Sequence, residues 1–122
     1  VLPTVVLVVE DDAWVLRAIL RAFIDPDRWK VINARSVESA LAFLARPELE
    51  IEIVVTDLVL GETGGEELAR IVRGNYGIPV IIYSGEDPGP GLADAVLLKP
   101  APPSELLPIV ARLTRIPENR LQ

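Results

Sequence analysis

The chain contains no cysteine, no histidine and no methionine. Without cysteine there can be no disulfide, no thiolate nucleophile and no Cys-ligated metal. Without histidine the commonest general base is gone, and with it the Ser-His-Asp triad and every His-ligated metal site. Only carboxylates, hydroxyls, Lys and Arg remain for chemistry, and carboxylate clusters favour hard cations such as Mg²⁺ or Ca²⁺ over zinc. Dense basic runs are also missing: 12 Lys and Arg stand against 18 Asp and Glu, for a net charge of −6. A nucleic-acid surface on this domain is therefore not expected, because phosphate neutralisation needs clustered cations. No apolar run approaches the ~20 residues of a membrane span and no signal peptide is recognisable, so a soluble domain is expected. With no methionine even at position 1, the chain reads as processed or cut from a longer protein, and Ile116 to Gln122 reads as tail or linker.

What is present is a core. Half of the 122 residues are hydrophobic and a quarter are charged, as in one globular domain of ordinary size. Thr4 to Val9 reads as a buried strand ending on Glu10-Asp11-Asp12. Val15, Leu16, Ile19, Leu20 and Phe23 then recur at helical spacing until Asp25-Pro26-Asp27. Trp29 to Ala34 is a second strand, and Ser36 caps a helix carrying Val37, Ala40, Leu41 and Leu44 as far as Pro47. The third strand, Ile51 to Thr56, is a β-branched run that ends on Asp57. After a flexible loop over Gly61 to Gly65, a helix buries Leu68, Ala69, Ile71 and Val72 and closes near Gly74. Pro79 to Tyr83 is the fourth strand, ending at Ser84-Gly85. The following Glu86-Asp87-Pro88-Gly89-Pro90-Gly91 suits neither helix nor strand. Ala95 to Leu98 is a short fifth strand before Lys99-Pro100, and Leu106, Leu107, Ile109, Val110 and Leu113 mark a last helix, which Pro108 should kink or delay.

Strands alternating with helices imply a parallel α/β sheet covered on both faces, and right-handed crossovers bring every strand's C-terminal end to one edge. That edge then gathers Glu10, Asp11 and Asp12 from the first strand, Asp57 from the third, Ser84 from the fourth and Lys99 from the fifth. The second strand offers no ionisable group. Taken singly, each has a plain explanation: the acidic run as a helix N-terminus, Ser84-Gly85 as a turn, Lys99 as an exposed lysine. Converging carboxylates repel one another unless a cation intervenes, and a divalent metal resolves the conflict. With a lysine and a hydroxyl nearby, the set suits a carboxylate nucleophile for phosphoryl transfer at Asp57.

In this ordered set the chain resembles the receiver domains of two-component response regulators. Val8-Val9-Glu10-Asp11-Asp12 with Arg17 is similar to the family's acidic first-strand motif, Ala34-Arg35-Ser36 through Ala40-Leu41 to its second strand and helix, and Val54-Val55-Thr56-Asp57 to its acceptor strand. Gly65 stands at a glycine common in the family, Ser84 at its hydroxyl and Lys99-Pro100 at its Lys-Pro. The resemblance implies a flavodoxin-like fold of five parallel strands over residues 1–116, with 117–122 as tail. It implies that Asp57 accepts a phosphoryl group from a phosphohistidine on a histidine kinase or phosphotransfer protein, in the cytoplasm. Glu10, Asp11, Asp57 and the backbone carbonyl of Val59 would hold Mg²⁺ or Mn²⁺, Lys99 would pair with the acyl phosphate, and Ser84 would report phosphorylation. The domain would catalyse only its own phosphorylation and dephosphorylation, within a chain that carries a fused kinase or output domain or acts as a lone relay.

The sequence departs from that pattern in places. Val96 stands where the family often has an aromatic, Leu60-Gly61 replaces Met-Pro, Ala101 replaces an aromatic, and the fourth helix is reduced to a Pro/Gly-rich loop. These departures define the alternative: a pseudo-receiver that keeps the fold as an interaction module without switching. A carboxylate phosphatase would want a second Asp where Val59 stands, and a nucleotide-binding domain would want glycines where Glu10-Asp11-Asp12 stand.

Overall fold

The computed structural model describes residues 2–61 and 64–114. Glu62, Thr63 and the expected tail, with its boundary at residue 116, lie outside the described residues.

β1 (Thr4–Val9) is buried along nearly its whole length, and its alternation divides the interior in two. Val6 and Val8 point into one core and Leu7 and Val9 into the other. A strand with apolar groups on both faces has to be covered on both faces. The covering helices are α1 (Ala13–Ala22) and α4 (Leu106–Thr114) on the first side, and α2 (Val37–Leu44) and α3 (Gly65–Ile71) on the second. Between them lie β2 (Trp29–Ala34), β3 (Ile53–Thr56), β4 (Val80–Ser84) and β5 (Ala95–Leu98), giving one parallel five-stranded sheet in the order β2-β1-β3-β4-β5. Strand order reverses between β1 and β3, and in such sheets the crevice outside the strand ends at the reversal is where ligands bind. Asp57 follows β3 and Glu10 follows β1, at that point.

Local chemistry sets the helix ends. Asp12 caps α1, its Oδ1 accepting the N–H groups of Trp14 (2.8 Å) and Val15 (3.2 Å). Ser36 caps α2 by accepting the Ser39 N–H at 3.1 Å. Both are oxygen side chains satisfying amides that the helix itself leaves unpaired. Pro108 neither kinks nor breaks the last helix. A 3₁₀ turn at Pro103–Glu105 leads into α4 at Leu106, so Pro108 sits in the first α-helical turn, where a missing N–H matters little.

Several boundaries differ from the sequence reading. β3 begins at Ile53 rather than Ile51, and β4 runs Val80–Ser84 rather than from Pro79. α2 ends at Leu44, and Pro47 opens a separate 3₁₀ turn. α3 ends its regular turns at Ile71 and continues as a wider π turn over Val72–Tyr76, which Gly77 closes with φ +64°. Between β4 and β5 there is no helix: Gly85–Asp94, all of it described, is a loop. Leu92 and Ala93 of this loop pack on the core that contains Ile82, while Val96 and Leu98 of the edge strand stay 37% and 44% exposed.

Candidate functional site

Glu10 leaves the end of β1 with its carboxylate inside the protein, and it is 1% exposed. A buried carboxylate needs partners for both oxygens. Its Oε1 accepts from the Lys99 ammonium at 2.9 Å and its Oε2 from the Asp12 N–H at 3.2 Å. The same ammonium donates to Asp57 Oδ2 at 3.1 Å, so one lysine after β5 joins the acids that end β1 and β3. Beneath it lies the Tyr83 ring, its centroid 5.2 Å from Nζ, and the Tyr83 hydroxyl donates to the Ala101 carbonyl at 2.6 Å. The tyrosine thus ties the loop after Lys99 back to β4.

The remaining acid is Asp11. Its Oδ2 accepts the Gly61 N–H at 2.9 Å, and its backbone carbonyl accepts from the Arg35 guanidinium at 2.8 Å. Asp57 Oδ1 accepts the Val59 N–H at 3.2 Å. The loop after β3 therefore presents amides to two of the acids. Glu10, Asp11 and Asp57 each offer a carboxylate oxygen within 4.8 Å of the others. Three oxygens this close, only two of them facing an ammonium, make a hard donor set of the kind that takes Mg²⁺ with waters completing the shell.

Burial pushes the Glu10 carboxyl above its ordinary value, against the opposing pull of Lys99. For Lys99 burial works downward, but its hydrogen bonds to Glu10 and Asp57 outweigh that and leave its pKa raised. The ammonium is firmly charged. Burial likewise raises Tyr83, which stays a neutral donor to Ala101.

Gly65, at the start of α3, explains how the loop after β3 stays so close. A Cβ there would collide with the carbonyls of Asp57 and Leu58. Only glycine lets the helix come up against the backbone that carries Asp57.

Of the residues expected at the site, the structure brings Glu10, Asp11, Asp57 and Lys99 together, with Val59 two residues beyond Asp57 at the rim. Asp12 does not join them, because its carboxylate is spent on the cap of α1. Ser84 is 2% exposed at the end of β4, where its Oγ accepts the Glu86 N–H at 3.3 Å. Sequence reasoning missed Arg35 and Tyr83 as parts of the site, and called the second strand empty of ionisable groups. The signal for Arg35 was its place directly after β2, the strand beside β1. Tyr83 looked like an ordinary strand aromatic.

The model of the response regulator receiver domain matches residues 6–111. The chain belongs to that family. Among its relatives, the heme response regulator HssR of Staphylococcus saprophyticus is 32% identical over 84 residues, 69% of this chain and 36% of that protein. The transcriptional regulatory protein AruR of Pseudomonas aeruginosa is 32% identical over 120 residues, 90% of this chain and 49% of that protein. The chain thus spans about half or less of the curated relatives it matches. Solved receiver folds superpose closely. The chemotaxis response regulator CheY4 of Vibrio cholerae gives a TM-score of 0.77 at 22% identity, covering 91% of this chain and 98% of that one. The signal receiver domain of a LuxO repressor protein from Vibrio parahaemolyticus gives 0.80 at 21% identity, covering 93% and 92%. The fold is the flavodoxin-like receiver fold, and the chain is a two-component signalling domain. Within this receiver domain, the strand-end acids and Lys99 form the only carboxylate cluster of metal-binding geometry among the described residues.

Proposed function

We propose that this receiver domain takes a phosphoryl group from a phosphohistidine onto Asp57 in a Mg²⁺-dependent reaction (Mn²⁺ serving equally), and signals through the resulting change in shape. The observation that carries this is the Lys99 ammonium bridging Glu10 and Asp57 beside the three-acid cluster. An Asp57 oxygen attacks phosphorus, the bond from phosphorus to the donor's imidazole nitrogen breaks, and the neutral imidazole leaves after taking a proton from water. The product is an acyl phosphate on Asp57. Lys99 neutralises charge that grows on the phosphoryl oxygens in the transition state. Glu10, Asp11, Asp57 and the Val59 carbonyl are the groups that would hold Mg²⁺, which when bound supplies further neutralisation of those oxygens. Ser84 serves as the hydroxyl that answers the phosphoryl group.

A donor protein has to bring its imidazole to this edge, and the surroundings suit such docking. Trp14 is 78% exposed, and with Val15, Ala18, Ala101, Pro102 and Pro103 it lines an apolar groove of about 320 Å³ that reaches Lys99. The partner is a histidine kinase or histidine phosphotransfer protein, met in the cytoplasm. No helix among the described residues is long and apolar enough to cross a membrane. We assign residues 1–116 to the receiver unit, working alongside a kinase or output domain in a longer chain.

The test is incubation with acetyl phosphate and Mg²⁺ followed by intact-mass measurement. One phosphoryl mass is expected, lost on adding EDTA beforehand and absent from Asp57→Asn. A protein that gains no mass from acetyl phosphate or from a phosphorylated kinase domain would overturn the assignment.

A further inference from the structure

Lys99 stands two residues beyond Leu97, and Leu97 lies opposite Tyr83 in the register of β4 and β5. Side chains along a strand alternate with period two, so Lys99 leaves the chain on the face of the sheet that carries Tyr83. The tyrosine is 5% exposed and belongs to the core that holds Val8 and Val55. Its ring is thus held in place by packing, whatever the lysine does.

An ammonium offers three protons at the end of a flexible four-carbon stem. In Lys99 the carboxylates of Glu10 and Asp57 accept at 2.9 and 3.1 Å. The Tyr83 ring centroid lies 5.2 Å from Nζ, inside the roughly 6 Å over which an aromatic face attracts a cation. These three contacts differ in one respect. Glu10 and Asp57 are also the groups that would turn to a metal ion, so they are not lasting tethers for the lysine. The ring carries no charge that a metal could take. At its far end the hydroxyl donates to the Ala101 carbonyl at 2.6 Å, two residues past Lys99. One buried side chain therefore meets the lysine at its head and holds the backbone just beyond its root.

We propose that Tyr83 is a positioning residue for Lys99, its ring keeping the ammonium beside Asp57 when a metal ion draws Glu10 and Asp57 away from it. The inference rests on the reading of Asp57 as a Mg²⁺-dependent phospho-acceptor. Without the ring, the lysine side chain, already 22% exposed, regains its rotamer freedom toward solvent as soon as the acids turn to the metal. The phosphoryl oxygens then lose their neutralising cation for much of the time. With the ring in place, the ammonium waits where charge will grow, which is the preorganisation that phosphoryl transfer requires.

The chain has two lysines, Lys30 and Lys99, and Lys30 is exposed, so ¹³C-labelled lysine gives one signal at the site and one internal reference. Nuclear relaxation at Cε, measured on the full chain in EDTA and in millimolar Mg²⁺, reports whether Lys99 is held. In the parent Lys99 should be more ordered than Lys30 in both conditions. In Tyr83→Leu it should be ordered in EDTA and as mobile as Lys30 in Mg²⁺. Tyr83→Met makes the same comparison with more of the ring's volume filled, should the leucine variant fold poorly. Tyr83→Phe, which keeps the ring, should keep Lys99 ordered in Mg²⁺. Uptake of phosphoryl mass from acetyl phosphate should be roughly five-fold slower in Tyr83→Leu, with most of that loss recovered in Tyr83→Phe. Lys99 as ordered in Mg²⁺ without the ring as with it overturns the proposal, and so does a phenylalanine variant as mobile as the leucine one. A parent that takes up no phosphoryl mass overturns the acceptor reading, while the relaxation comparison in Mg²⁺ still decides the role of Tyr83.

Discussion

Lys99 is the residue on which the site's charge balance turns. Its ammonium faces a carboxylate at the end of β1 and another at the end of β3, and the Glu10 side chain is only 2% exposed. Removing a lysine from such a pair strands the buried acid, which costs about 2 kcal/mol even when the acid takes up a proton. Lys99→Ala should therefore melt about 8 °C below the parent in EDTA, by calorimetry. Millimolar Mg²⁺ should stabilise the variant more than the parent, because the metal then replaces an ammonium instead of competing with it. An equal gain in both proteins would mean that the cation does not bind among these acids. Sequence alone foretold that Asp57 and Lys99 belong together, because each follows an apolar strand. Strand-end position alone did not separate Asp11 from Asp12, neighbours of identical chemistry; the family resemblance did, by naming Asp11 and not Asp12 for the metal. The onset of α1 separates them, turning Asp12 to the helix amides while Asp11 faces the loop after β3.

At the scale of elements, the approach of α3 to the end of β3 is the tightest constraint. Gly65→Ala drives a methyl group into the carbonyls of Asp57 and Leu58, backbone that has no room to yield. The expected loss is roughly 1–3 kcal/mol in urea unfolding, together with weaker Mg²⁺ binding, since the segment that carries Asp57 must shift. Asp12→Ala is the matching control: it removes the α1 cap, costs about 1 kcal/mol and leaves Mg²⁺ affinity close to the parent's. If both variants lose affinity alike, the distinction between cap and site fails. The cap residues Asp12 and Ser36 follow rules local enough to read from sequence. The π turn at Val72–Tyr76, whose Arg73 reaches the Gly91 carbonyl 18 positions on, was not anticipated from the sequence.

For the whole molecule, the sheet is thinly covered at its β5 edge, where no residue of the strand is fully buried. Ile82 is fully buried in the core against which Leu92 and Ala93 of the loop after β4 pack, whereas Leu98 is 44% exposed. Leu98→Ser should therefore stay within about 0.5 kcal/mol of the parent in urea, whereas Ile82→Ala should lose roughly 2–5 kcal/mol. A large loss at Leu98 would show that something covers this edge in solution. The missing helix was legible beforehand, because prolines and glycines between Glu86 and Gly91 remove amides and stiffness that a helix needs. So were the parallel sheet and the gathering of polar groups at one edge of it: apolar runs, helical spacing and the acid, hydroxyl or lysine that closes most strands are properties of short stretches of chain. Tertiary structure alone decided which of those side chains meet. Lys99 and Glu10 lie 89 positions apart, and Arg35 reaches Asp11 across 24. Such partnerships depend on strand order, register and burial, which exist only once distant segments have packed together.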